Sequence, residues 1–292
     1  MKTAPSVEPL IELLKLEQLD DNLFRGQSGD IGTRSVYGGQ VLGQALRAAG
    51  YTVDGRRPHS LHAYFLRAGD FTRPIIYEVE KARDGRSFTS RRVVAIQGGQ
   101  PILNLAASFQ TEQEGIEHQA EMPDIPPPEQ CGGHDDNRRQ WLERLPPERR
   151  ANVERNQPFE FCSFEPPPYV DPQPRPAVRH IWFRANGALP DDAGLHEAML
   201  AYASDFGPLM TALYPSGINP MLPSVRMASL DHAMWYHRPF RVDQWLLYAL
   251  ESPNASGSRG FTRGSVFTQD GTLVASTAQE GMIRVRSRKA SE

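Results

Sequence analysis

The second half of the chain repeats the first at a nearly fixed distance. Tyr77-Glu78-Val79-Glu80 is matched by Tyr248-Ala249-Leu250-Glu251, Phe88-Thr89 by Phe261-Thr262, and Gln97-Gly98-Gly99 by Gln269-Asp270-Gly271, at offsets of 171, 173 and 172 residues. Chance dipeptides keep neither one order nor one spacing, so the pattern reads as an internal duplication. Two copies of one unit packed together account for the length of 292 residues.

The first copy has a recognisable plan. Residues 9–17 carry a short helical apolar face, and 19–27 look extended. Gly38 and Gly39 open a second helix whose Val41, Ala45, Ala48 and Ala49 fall at helical spacing, small enough to let it lie close against a sheet. The strand pattern then covers 61–66, 75–83, 88–97 and 102–110, with Asp84-Gly85 and Gly98-Gly99 as hairpin signals, which predicts a four-stranded antiparallel meander. One helix and its sheet form an α+β unit over 1–111. Residues 181–292 repeat it, with a strand at 181–185 and a helix over 195–206 whose apolar face is Leu195, Met199, Tyr202 and Phe206.

Residues 112–180 separate the copies and hold thirteen of the 25 prolines. Proline lacks a donor and fixes φ, so this stretch is predicted to be a linker without sheet, with room for a helix only over 136–152.

Composition narrows the function classes. A net charge of -3 and a pI near 6.3 argue against a nucleic-acid binder or a basic membrane-surface protein. No run of about 18 apolar residues predicts a membrane helix, and the N-terminal segment lacks the apolar stretch of a secretory signal. Cys131 and Cys162 match neither a disulfide framework nor a metal-binding spacing, so they are expected as unpaired thiols of a reducing compartment. The expected location is cytoplasmic.

Polar chemistry concentrates in the second copy. Residues 224–240, SVRMASLDHAMWYHRPF, read as one buried strand that nonetheless carries a hydroxyl, a carboxylate and two imidazoles. Strict alternation puts Ser229 and Asp231 on the face of Val225 and Met227, and His232 on the opposite face with Met234 and Tyr236. A buried hydroxyl without a partner costs on the order of 1–3 kcal/mol, so Ser229 should meet another polar group or a water. Gln279 lies on an otherwise apolar face of the last strand, where its amide must also find partners. Asp205 sits at the core boundary of the second helix, beside a break expected at Gly207-Pro208. Singly, each has a plainer reading as a cap, an edge residue or a backbone-satisfied serine. Together they occupy three elements of one copy, whereas the first copy has Ala107 opposite Gln279 and Ser60 opposite Ser229.

Other chemistries find less support. His232 and His237, with His59 and His62 in the first copy, lack the spacing of a zinc site, and no metal is expected. There is no Gly-x-Ser-x-Gly elbow, no phosphate-binding P-loop and no dinucleotide fingerprint, so no cofactor is expected. Gly38 and Gly39 serve either as a tight turn or as a helix start whose N–H groups receive a substrate carbonyl oxygen or a phosphate.

The segments LFRGQS, YGGQVLGQAL, SLHAYFLR, RDGRSFTSRRV, YASDF, ASLDHAMWYHRPF, RGFTRG and TQDGTLVASTAQEG together resemble the acyl-CoA thioesterase II family over about residues 10–284. The resemblance implies a double hotdog fold, in which each long helix is wrapped by an antiparallel sheet and the two sheets join. It also implies an acyl-CoA substrate, hydrolysis by a directly activated water, and association into a homodimer or homotetramer. The family's aspartate, hydroxyl and glutamine fall on Asp205, Ser229 and Gln279. Serine stands where the bacterial pattern has threonine, which keeps the hydroxyl and loses the methyl that restricts its rotamer. Two rival readings keep the fold: an enoyl-CoA hydratase or dehydratase, for which no hydratase-type Asp/His pair is found, and a non-catalytic acyl-CoA-binding protein.

Overall fold

The computed structural model describes residues 6–131, 143, 147, 150 and 158–286. Two central helices run side by side, and one antiparallel sheet wraps around them. Helix α1 (Glu8–Leu14) buries Leu10, Ile11 and Leu14. A short hairpin, β1 (Glu17–Asp20) and β2 (Leu23–Gly26), leads to helix α2 (Gly38–Gly50). Strands β3 (Arg57–Phe65), β4 (Ile75–Asp84), β5 (Phe88–Gln97) and β6 (Gln100–Gln110) complete the first half. The second half contains β7 (Phe159–Cys162), β8 (Val178–Ala185), helix α3 (Ala193–Ser204), β9 (Val225–Ser229), β10 (Asp231–Tyr236), β11 (Leu246–Ser256), β12 (Arg259–Thr268) and β13 (Leu273–Val285).

The strand order is β1-β2-β4-β5-β6-β3-β10-β13-β12-β11-β8-β7, with β9 also pairing β13. Reading outward from the β3–β10 seam, each half repeats the other: β6, β5, β4 and β2 on one side answer β13, β12, β11 and β8 on the other. The seam is antiparallel, with His62 opposite Ala233. This is the double hotdog architecture, and its two halves share one sheet.

The predicted meander needs correction. β4, β5 and β6 follow in order, but β3 lies beyond β6 instead of beside β4. The tight turns at Asp84-Gly85 and Gly98-Gly99 force neighbours to pair, whereas the nine-residue connection 66–74 imposes no such constraint. Moving β3 inward gives it two partners, β6 and β10, and makes the joined sheet possible.

Close approach of α2 and α3 requires glycine. A Cβ on Gly43 would stand 2.8 Å from the Ala198 carbonyl, and one on Gly39 would collide with that of Tyr202. At the other end Arg47 reaches Asp192, the N-cap of α3, so the helices are antiparallel. Ala45, Ala48 and Ala49 are fully buried around them.

The proline-rich linker also departs from expectation. Residues 159–162 form β7, an edge strand on β8 bounded by Pro158 and Pro166. Only one side of an edge strand needs donors, so prolines can flank it. Met122 and Ile125 lie with Cys162, Trp182, Leu247 and Phe267 in a second, outer cluster, and Trp182 Nε1 donates to the Pro126 carbonyl at 2.9 Å. Cys131 and Cys162 are joined by a disulfide, with Cα atoms 6.1 Å apart, so the expectation of unpaired thiols fails. Spacing along the chain carried no such signal, because it is the return of β7 to the sheet that brings the two together. The helix expected over 136–152 lies outside the described residues except for Glu143, Pro147 and Arg150, which are helical.

Candidate active site

Helix α3 ends at Ser204, two residues short of the expected 206, and Asp205 is its C-cap residue. Gly207 follows with φ 73°, a left-handed conformation in which glycine carries no Cβ penalty, and Pro208 opens a 3₁₀ segment, Pro208–Ser216. The chain therefore turns sharply just after the carboxylate. Phe206 leaves the helix but still stacks on Tyr37, 4.9 Å between ring centres.

The predicted single strand over 224–240 is two strands. Ser229 pairs with Gly281 on β13, whereas Ala233 pairs with Ala278, so the register slips by one residue between them. Leu230 N–H donates to the Glu280 carbonyl, and the Asp231 carboxylate accepts the Glu280 N–H at 2.6 Å, satisfying the backbone at the irregularity. A bulge of this kind re-aims side chains. Strict alternation would separate Ser229 from His232, yet both reach Gln279.

Three predicted residues meet. Gln279 Nε2 donates to Asp205 Oδ1 at 2.9 Å and to Ser229 Oγ at 2.6 Å, and Ser229 Oγ lies 3.4 Å from Asp205 Oδ1. Gln279 is 2% exposed, while Asp205 and Ser229 keep partial access to solvent. Gly38 and Gly39 complete the arrangement from the other half of the molecule. The Gly39 N–H donates to the Asp205 carboxylate, and a Cβ on Gly38 would stand 2.7 Å from Asp205 Oδ2. The start of α2 thus lies against the protein's own carboxylate.

Burial raises the Asp205 carboxyl to about 6 against the lowering effect of Gln279, Gly39 and Ser229. Each of those partners is neutral. The charge of Asp205 is therefore held by hydrogen bonds and the start of α2 without a cation, which leaves it ionised at neutral pH yet able to take a proton.

The sequence reading placed neither His232 nor Tyr37 and Phe161 at this site. His232 Nδ1 stands 3.3 Å from Gln279 Oε1, and its Nε2 stands 2.9 Å from Ser204 Oγ. Burial lowers the imidazole to about 4, so it is neutral. Its signal was present, a histidine in a core strand, but alternation assigned it to the opposite face. Tyr37, Tyr202, Phe206 and Phe161 form an apolar wall next to Asp205, with Phe161 supplied by β7.

Two helix-and-sheet units sharing one sheet define a double hotdog protein, and a carboxylate, an alcohol and an amide converge where its helices meet. Residues 171–282 match the family model described as acyl-CoA thioesterase, and 25–110 match that of the acyl-CoA thioesterase N-terminal domain. Acyl-CoA thioesterase 2 of Haemophilus influenzae is 42% identical over 276 residues, covering 94% of this chain and 96% of its own. Acyl-coenzyme A thioesterase 8 of Homo sapiens is 41% identical, covering 94% and 88%. The crystal structure of acyl-CoA thioesterase II TesB2 from Mycobacterium marinum is 40% identical with a TM-score of 0.76, over 97% of this chain and 99% of that one. The chain belongs to the acyl-CoA thioesterase family.

Proposed function

We propose that this protein hydrolyses acyl-CoA thioesters to a free fatty acid and CoA, using a water activated by Asp205. The observation that carries the mechanism is the mutual contact of Asp205, Ser229 and Gln279. Ser229, itself held by Gln279, positions the water, and Asp205 accepts its proton as the oxygen attacks the thioester carbonyl carbon. The developing oxyanion is received by backbone N–H groups at the start of α2, where the helix dipole favours negative charge. Collapse of the tetrahedral intermediate breaks the C–S bond and releases the CoA thiolate, which leaves readily and takes up the proton held by Asp205, restoring the carboxylate. The aromatic wall of Tyr37, Phe206 and Phe161 offers the acyl group an apolar surface beside the base.

Thiol release measured with a thiol-reactive dye, run beside the enoyl absorbance of the same acyl-CoA, tests this reading. Stoichiometric thiol and free acid are expected. Loss of enoyl absorbance without thiol would turn the assignment to a hydratase, and tight binding with neither signal to a binding protein.

Fatty-acid metabolism goes with the reading, whereas the cytoplasmic location expected from the sequence has one structural feature against it. The Cys131–Cys162 bridge weighs against a reducing compartment. The units are joined through β3 and β10, leaving β1 and β7 as sheet edges and Tyr64 exposed on the sheet. These surfaces support a homodimer or homotetramer, which sedimentation would distinguish.

A further inference from the structure

We propose that His232, oriented by Ser204, is a positioning residue that sets which way round the Gln279 side-chain amide sits. The proposal rests on the reading of Asp205 as an ionised base. A carboxylate only accepts hydrogen bonds, so the Gln279 atom 2.9 Å from Asp205 Oδ1 must be the amide nitrogen. Gln279 Oε1 then points away, to a place 3.3 Å from His232 Nδ1. Two acceptors cannot face each other there, so Nδ1 carries the proton. The ring is buried and neutral, hence Nε2 is bare and has to accept.

The remaining group is Ser204. Its Oγ lies 2.9 Å from His232 Nε2 and 2.9 Å from the Ala201 carbonyl. One hydroxyl has one proton, and a bare Nε2 requires that it go to the imidazole. The order of donation is thereby fixed from end to end: Ser204 to His232, His232 to Gln279, Gln279 to Asp205 and Ser229. The reverse order is self-consistent only if the amide flips and sets its oxygen against the Asp205 carboxylate. A flipped Gln279 also presents an acceptor to Ser229, removing the donor on which the site depends. Ser204 and His232 are both buried, so neither bulk water nor a surface group can substitute for them.

The test uses two amide replacements in the full chain. Asparagine sets its side-chain nitrogen near the place of Nδ1 and can still donate to Gln279, whereas glutamine reaches the place of Nε2 and meets Ser204 instead. His232→Asn is expected to retain a kcat at least about tenfold above that of His232→Gln, with KM shifted by less than about threefold in either, as for a group acting on the reacting geometry and not on binding. Nitrogen-15 NMR of the unsubstituted protein should show His232 as the neutral tautomer protonated at Nδ1. Equal losses in the two variants, or the tautomer protonated at Nε2, overturn the proposal. Asp205→Asn, assayed alongside, separates the two levels. Retained turnover there overturns the base assignment itself, while an inactive Asp205→Asn with equal His232 variants removes only the positioning role.

Discussion

Gln279 Nε2 lies 2.9 Å from Asp205 Oδ1, although 74 residues separate them. One residue caps the end of a central helix and the other sits within a strand that wraps it. The contact joins two neutral donors, the amide and the Ser229 hydroxyl, to a carboxylate that burial makes unusually basic. That combination suits proton abstraction from water near neutral pH.

Asp205→Asn is expected to lower kcat by roughly 10²-fold or more, as removal of a catalytic base does. The same change should stabilise the protein at alkaline pH. The Asp205 carboxyl rises from 3.8 to about 6 on folding, so the folded state holds the proton more tightly and ionisation costs stability as pH rises between those values. Thermal unfolding should show Asp205→Asn more stable by on the order of 1–3 kcal/mol at pH 8, and little changed at pH 4. A gain over the unsubstituted protein no larger at pH 8 than at pH 4 would show that the carboxylate is not destabilised by its surroundings.

The pH profile of kcat/KM should rise about tenfold per pH unit below about 6 and level off above it, following ionisation of Asp205. His232, lowered to about 4, adds no second inflection between pH 5 and 8. A profile that falls on the alkaline side of pH 6 would require a catalytic acid that this arrangement does not contain.

Gly38 and Gly39 should separate activity from stability. In Gly38→Ala the new methyl lies 2.7 Å from Asp205 Oδ2 and 2.9 Å from Phe65, so it presses on the carboxylate, and kcat is expected to fall about tenfold with a small change in melting temperature. Gly39→Ala drives a methyl into the Tyr202 carbonyl of the facing helix, where backbone must move, and should cost about 1–3 kcal/mol. Chemical denaturation and steady-state kinetics on the pair check both.

The Cys131–Cys162 bridge closes a loop with a sequence separation of 31. Loop-closure entropy for that length gives about 3–4 kcal/mol, so the double serine variant, or reduction, should lower stability by up to that amount. Cys162 belongs to the outer cluster with Trp182 and Leu247, not to the aromatic wall beside Asp205, so kcat should stay within about twofold. Intact mass under non-reducing conditions establishes the pairing, and two free thiols in protein taken from its native compartment would rule out the bridge there.

Periodicity and repetition made much of this molecule legible. Helices α2 and α3, the hairpins at Asp84-Gly85 and Gly98-Gly99, and the duplicated plan all rest on local signals that survive in one dimension. Asp205, Ser229 and Gln279 stood out because each is a polar residue where its own element should be apolar. The inward position of β3, the edge strand between Pro158 and Pro166, and the pairing of Cys131 with Cys162 left no comparable trace. Each depends on where a long connection returns, and a sequence window contains no information about that.

The amino-acid sequence by itself determined the central helices and the hairpin-linked strands, that they come in two copies, and which copy carries the polar residues, since these follow from spacing and side-chain chemistry. Tertiary structure decided the rest. It slipped the β9–β10 register by one residue beside Leu230, turned His232 toward Gln279, and set the start of α2 against Asp205. Those outcomes depend on how two helices and a shared sheet fill one volume, and close packing over the whole core, not the preference of any segment, selects among the possibilities.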